Sequence, residues 1–187
     1  MDLTSYAELA VRLVNSAASI DSETDQLGTA DAFGAFVTDY PHLSGPRTRH
    51  DLDALRTLRA ELASVFAAAA QRDHATAAEL LNALLVQHPV RPVLVRHDRS
   101  RWHLHLDESG SLADRYAAGA VAGLAAIAAQ FGMNHLGICA IPDCRAAFID
   151  ASASRSSRYC MKHCAGKANV TALRNHRRSA VGYSAAG

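Results

Sequence analysis

The sequence predicts an α+β protein: a mainly helical N-terminal domain with one β-hairpin, followed by a small cysteine-stapled module. Three observations carry the prediction. Apolar residues recur at helical spacing through most of the first 130 positions. One stretch near 93–106 alternates with period two instead. All four cysteines fall between 139 and 164, with none in the 138 residues before them.

Ser5-Tyr6-Ala7-Glu8 has the Ser/Glu spacing of a capping box, and Leu9, Leu13 and Ala17 follow at helical spacing to predict a first helix. Residues 19–28 are polar and read as a loop. Thr29 is placed to cap a second helix carrying Phe33, Phe36, Val37 and Tyr40, a stripe that belongs in the core, and Pro41 ends it. A third helix runs from about Asp51 to Gln71 with Leu52, Leu55, Leu62, Val65, Phe66 and Ala69 along one side. Arg56, Arg59 and Glu61 on its other faces read as solvated charges. Thr76-x-x-Glu79 reads as the capping box of a fourth helix, which carries Leu80, Leu81, Leu84 and Leu85 and stops before Pro89.

Val93–His97 and Arg101–Leu106 read as a hairpin turning at Asp98-Arg99-Ser100. Period two puts His103 and His105 on one face. No carboxylate is placed to complete a metal shell with them and His97, so an exposed polar face is expected. Ser111-x-x-Asp114 caps a fifth helix that ends at Phe131, with Gly132 at the position after it and a buried stripe of Leu112, Tyr116, Leu124, Ile127 and Phe131. Its segment 117–131 is nearly all apolar and contains Gly119-x-x-x-Gly123. A membrane span needs roughly twenty strongly apolar residues, and this shorter run is dominated by Ala and Gly. A tightly packed internal or dimer-interface helix is expected, and no membrane partner. The division expected is a first domain over 1–132, a linker over 133–138, the cysteine module over 139–178 and a flexible tail over 179–187.

The cysteines are spaced Cys139-x4-Cys144 and Cys160-x3-Cys164. Each close pair can wrap one edge of a tetrahedral Zn²⁺, and four thiolates close the shell. A closed shell leaves no place for water or substrate, so one structural zinc is expected. Two disulfides are the competing reading. The first nineteen residues carry Asp2, Glu8 and Arg12 and no long apolar core, unlike a secretory signal. A cytoplasmic location follows as the expectation, and in that compartment thiols stay reduced and bind metal. His163 is read as an exposed residue, because four sulfurs already fill the shell.

Pro142 and Asp143 suit a turn within the first pair. Ala146–Asp150 reads as a short strand with Phe148 turned inward, 152–157 as a polar hairpin loop, and Lys162–Arg178 as a helix holding Cys164 in its first turn. Val170 and Leu173 on that helix are expected to pack on the zinc core beside Phe148. Knuckle, hairpin, then helix is the order of a treble-clef zinc finger.

The run Phe148-x-Asp150, Arg158-Tyr159-Cys160 and Cys164-Ala165-Gly166-Lys167-Ala168-Asn169-Val170 resembles the CGNR-type zinc finger of bacteria. In that family an aromatic residue precedes the third cysteine and Cys-Gly-Asn-Arg begins the helix. Here Ala165, Gly166 and Lys167 replace the last three, which preserves the metal cage and keeps a charge without bidentate geometry. Leu13-Val14-Asn15, the run from Asp51 to Arg59 and Leu81-Asn82-Ala83-Leu84-Leu85 resemble the ABATE domain of bacterial proteins assigned to stress-induced transcriptional regulation. Together the two resemblances span about residues 5–178 and imply DNA binding.

Charge points the same way. The net charge of +1 conceals a balance of −5 over residues 1–138 and +6 over 139–187, near +4 for the module once metallated. Such segregation aims the small module at a polyanion or an acidic partner. Lys167, Thr171, Arg174 and Arg178 fall on one helical stripe, with Asn175, His176 and Arg177 clustered near its end. Lys162 opens the same helix. Arg and Lys would contact phosphates of double-stranded DNA, Asn169, Asn175 or an Arg could reach base edges, and Arg155 and Arg158 add backbone contacts. One such module binds weakly, so a homodimer through the helical domain is expected, or a pocket there for a small-molecule signal. Gly-rich phosphate loops, Gly-x-Ser-x-Gly and His-Glu-x-x-His are absent, and the cysteines are committed to the cage, so no catalysis is expected. The alternative function is a protein-interaction adaptor whose basic finger docks an acidic partner.

Overall fold

The computed structural model describes residues 3–17, 24–39, 45–96, 102–106, 109–150, 157–168 and 170. Among them run α1 (Leu3–Val14), α2 (Ala30–Thr38), α3 (Arg49–Ala70), α4 (His74–Gln87), β1 (Pro92–Val95), β2 (His103–Leu106), α5 (Leu112–Phe131), a 3-10 turn (Met133–His135), β3 (Leu136–Ile138) and β4 (Ala147–Ile149). Residues 162–168 are helical and form α6. Two separate antiparallel pairs, β1–β2 and β3–β4, are the only sheets among the described residues. This is the α+β architecture expected.

The N-terminal core is built around α5. Ala, Gly and Leu dominate this helix, so α1 can approach its backbone closely. A Cβ on Gly123 would lie 2.3 Å from the Ala7 amide nitrogen and 2.4 Å from the Tyr6 carbonyl carbon. The small-residue spacing therefore serves an internal crossing of α1 on α5. Tyr116, fully buried, closes the same crossing by donating its hydroxyl to the Leu9 carbonyl at 2.9 Å, and its ring meets Phe36 at 5.9 Å. By length and composition α5 could cross a membrane, yet 61% of its apolar window is buried inside the fold.

Asp51 ties two helices together. With Thr48 it forms the capping box of α3, accepting from the Thr48 amide at 2.9 Å and hydroxyl at 2.6 Å. Its other oxygen accepts from the Ala113 amide, in the first turn of α5, at 3.0 Å. Burial alone would raise this carboxyl's pKa, but donors from Thr48, Ala113 and Ser111 outweigh it and hold it below the usual range. One buried carboxylate thus satisfies orphan amides of α3 and α5.

Several expectations are corrected. Arg56 and Arg59 are not plain solvated charges. Arg59 pairs with Asp25 through two bonds of 2.6 and 2.9 Å and reaches the Ser16 hydroxyl, while Arg56 donates to the carbonyls of Leu27 and Gly28. They pin the segment before α2, whose Leu27 is fully buried. The fourth helix begins earlier than its Thr76-x-x-Glu79 box, because Asp73 caps it by accepting from the Thr76 amide. Ser5 lies inside α1, two residues past its start. Phe131 is 45% exposed and meets the His135 ring at 5.6 Å in a tilted arrangement rather than completing the buried stripe. Tyr40 and the turn of the first hairpin lie outside the described residues, as do the side chains of His97, His103 and His105.

Candidate metal centre

β3 and β4 pair with Gly137 opposite Phe148. The glycine gives the ring room, since a Cβ there would meet Phe148 Cζ at 2.6 Å. Phe148 is turned inward as expected. The segment expected to be a linker, 133–138, is instead a 3-10 turn followed by strand β3. The Cys139-x4-Cys144 knuckle sits at the tip of this hairpin. Its turn is fastened by Cys139 N–H to the Ala146 carbonyl at 2.8 Å and Cys144 N–H to the Ile141 carbonyl at 3.0 Å. Arg145 leaves the knuckle with φ of 49°, the left-handed conformation that reverses the chain.

The second pair is brought alongside by backbone. Ala140 N–H donates to the Arg158 carbonyl at 2.9 Å, so Cys160 arrives next to the knuckle. Cys164 lies in the first turn of α6, where the helix N-terminus favours a thiolate. The four sulfurs all lie within 4.8 Å of one another. Cys144 to Cys160 is 3.6 Å, and Cys160 to Cys164 and Cys164 to Cys144 are each 3.7 Å. A tetrahedral ion with Zn–S bonds of about 2.3 Å requires sulfurs roughly 3.8 Å apart. The site fits one zinc, and the cysteines are free thiols, not disulfides.

Cys139, Cys144 and Cys164 are buried and Cys160 is partly so, with Ile141, Ala146 and Tyr159 packed around them. Burial, joined by neighbouring sulfurs, pushes the Cys160 thiol up; burial also raises Cys164, against a lowering contact from the Cys160 sulfur. Burial opposes ionisation of Cys139 too, but donors from the Cys160 and Ile141 amides reverse the balance and lower it. Crowded thiols at this spacing are stabilised by a divalent cation that takes their protons' place. His163 is exposed and stays out of the shell.

The metal centre is fastened to the helical domain by groups that sequence reasoning missed. Asn15, at the end of α1, donates to the Ala147 carbonyl at 2.9 Å and accepts from the Ala147 amide at 2.8 Å. His135 is buried, with Nδ1 against the Asp150 carbonyl and its own carbonyl accepting from Asp150 N–H at 2.7 Å. The Asp150 carboxylate takes the Ser157 amide at 2.9 Å. Asn15 was visible only as part of a Leu-Val-Asn run, since a cross-domain hydrogen bond has no local signature.

Of the residues expected to contact nucleic acid, Arg158, Lys162 and Lys167 are exposed on this module. Arg155, Asn169, Thr171, Arg174, Asn175, Arg177 and Arg178 lie outside the described residues, as do Leu173 and the loop over 151–156. Val170 does not pack on the zinc core: it is 48% exposed.

Two family models cover this arrangement. Residues 135–178 match the CGNR zinc finger. Residues 7–131 match ABATE, described as "putative stress-induced transcription regulator". No curated protein matches the sequence. The chain therefore belongs to the ABATE family, with a CGNR zinc finger as its C-terminal module.

Proposed function

We propose that this protein is a cytoplasmic, zinc-dependent DNA-binding regulator whose finger tracks the phosphate backbone. The observation that carries the reading is the segregation of charge: +6 over the finger and tail against −5 over the rest, with Arg158, Lys162 and Lys167 exposed on the metal-stapled module. Zinc has a structural role in it, holding α6 and the knuckle as one rigid platform. Bases would be read by Asn169, Asn175 or an arginine of the C-terminal segment, and phosphates by Lys167, Arg174, Arg177 and Arg178. The helical domain dimerises to double a weak contact. No catalytic step is assigned to the chain, because its cysteines share one cage.

The test is a triple variant, Lys167→Ala, Arg174→Ala and Arg178→Ala, assayed for duplex binding by fluorescence anisotropy at physiological salt with zinc content verified. Loss of binding with retained fold supports the phosphate-contact reading. Binding that survives the triple change refutes it. Exposed Met161 and Val170 beside the basic residues favour a second reading, an adaptor docking an acidic protein surface. An adaptor would hold its partner against competition by unrelated duplex.

A further inference from the structure

A cleft of about 740 Å³ lies where the finger meets the helical domain, between the α3–α4 turn and the β3–β4 hairpin. Its size falls within the range of small-molecule sites, and domain junctions are where such sites concentrate. Leu136 and Phe148 supply apolar lining, and Arg72, His74 and Arg158 supply cationic or titratable groups from both domains. Among the described residues, Arg72 and Arg158 form no ion pair, as is also true of Arg47, Arg91, Arg96 and Arg145, but only these two line the cleft. The one carboxylate lining the cleft, Asp150, is buried and already accepts from Ser157. With two arginines against one carboxylate, the cleft lining carries a net positive charge at the junction of the acidic helical domain and the basic finger.

Arg72 is also unusual in its backbone. It follows the cap of α3 with φ of 63°, a position and conformation that glycine occupies without strain. An arginine there gives up backbone ease and places a guanidinium at the cleft. We propose that the cleft binds a small organic anion, an apolar body bearing a carboxylate or phosphate. Arg72 and Arg158 pair with the anionic group, and Phe148 and Leu136 pack against the body. Because the two arginines belong to different domains, occupancy clamps the finger to the helical domain. The site stands whether or not the finger binds DNA.

The test uses the zinc-loaded full chain and three probes sharing one ring system: 1-naphthoate, 1-naphthyl phosphate and neutral 1-naphthalenemethanol. Amide chemical shifts are followed by NMR during each titration. Both anions are expected to shift the Arg72, Gly137 and Ser157 amides and to bind about tenfold more tightly than the alcohol, a charge-assisted margin. A preference for one anion identifies the head group. Arg72→Gly, which relieves the left-handed backbone, should weaken both anions about tenfold while leaving the protein at least as heat-stable. Arg158→Gln should weaken them similarly. Equal binding of the alcohol, unchanged affinity in both variants, or no shift at these amides would overturn the proposal. So would shifts at these amides with a random duplex and none with the aryl anions, which would assign the cleft to nucleic-acid backbone.

Discussion

Two helical glycines in the same domain are predicted to respond to alanine with opposite signs. In a helix interior, Gly→Ala gains about 0.5–1 kcal/mol through reduced backbone entropy. Gly34 in α2 has room for the methyl, since its nearest non-local atom would be Arg47 Nη1 at 3.5 Å, an ordinary contact. Gly34→Ala should therefore stabilise by that amount. Gly123 has no room. Its Cβ would stand 2.3 Å from Ala7 N, 2.4 Å from Tyr6 C and 2.7 Å from Tyr6 Cβ, and two of those atoms are backbone of a packed helix. Relief requires α1 to move outward by roughly 1 Å, which opens the crossing that buries Leu9, Ala10 and Leu13. Overpacking of this kind costs about 1–3 kcal/mol and sometimes more, and backbone atoms put this case at the high end. After the propensity gain, Gly123→Ala should destabilise by about 2 kcal/mol. At roughly 2–4 °C per kcal/mol for a chain of this size, Gly123→Ala should lower Tm by about 4–8 °C and Gly34→Ala should raise it by about 1–4 °C. Differential scanning calorimetry on zinc-loaded protein measures both. A Gly123→Ala protein as stable as the parent would refute the packing of α1 on α5.

Other consequences follow from single contacts. Asp51→Ala removes three hydrogen bonds to a charged acceptor and leaves the buried Ala113 amide without its partner, so chemical denaturation should show a loss of about 3 kcal/mol. That stability needs the ionised form: with its pKa held below the unfolded value, it is present above about pH 4 and lost as pH falls through the lowered folded pKa. Asn15→Ala severs both bonds to Ala147, and hydrogen exchange should rise at β4 while the centre of α5 stays protected. Zinc binding at pH 7 should release at least about two protons, because Cys160 and Cys164 are held protonated without metal. Calorimetric enthalpies in buffers of different ionisation heat measure that number, and zinc affinity should fall as pH is lowered.

Much of this arrangement is legible in the sequence because it is local. The Ser111-x-x-Asp114 box, the Thr29 cap, the stripe of α3 and the spacing within each cysteine pair depend on residues a few positions apart. What was not legible is non-local. Arg56 and Arg59 look like surface charges until the segment holding Asp25 and Leu27 folds against α3. Asp51 reads as a helix-start residue, yet its second oxygen serves an amide 62 positions away. Asp73 shifted the start of α4 because two capping signals competed and the earlier one won. The cleft at Arg72 exists only once the finger is seated on the α3–α4 turn.

The proposed tracking of DNA phosphates by the zinc module is tested by anisotropy of zinc-verified protein with a random duplex across a salt series. Binding at low salt should weaken linearly in log–log form, with a slope of about −4.5 to −7 for roughly five to eight phosphate contacts. Absence of binding even at low salt would contradict it.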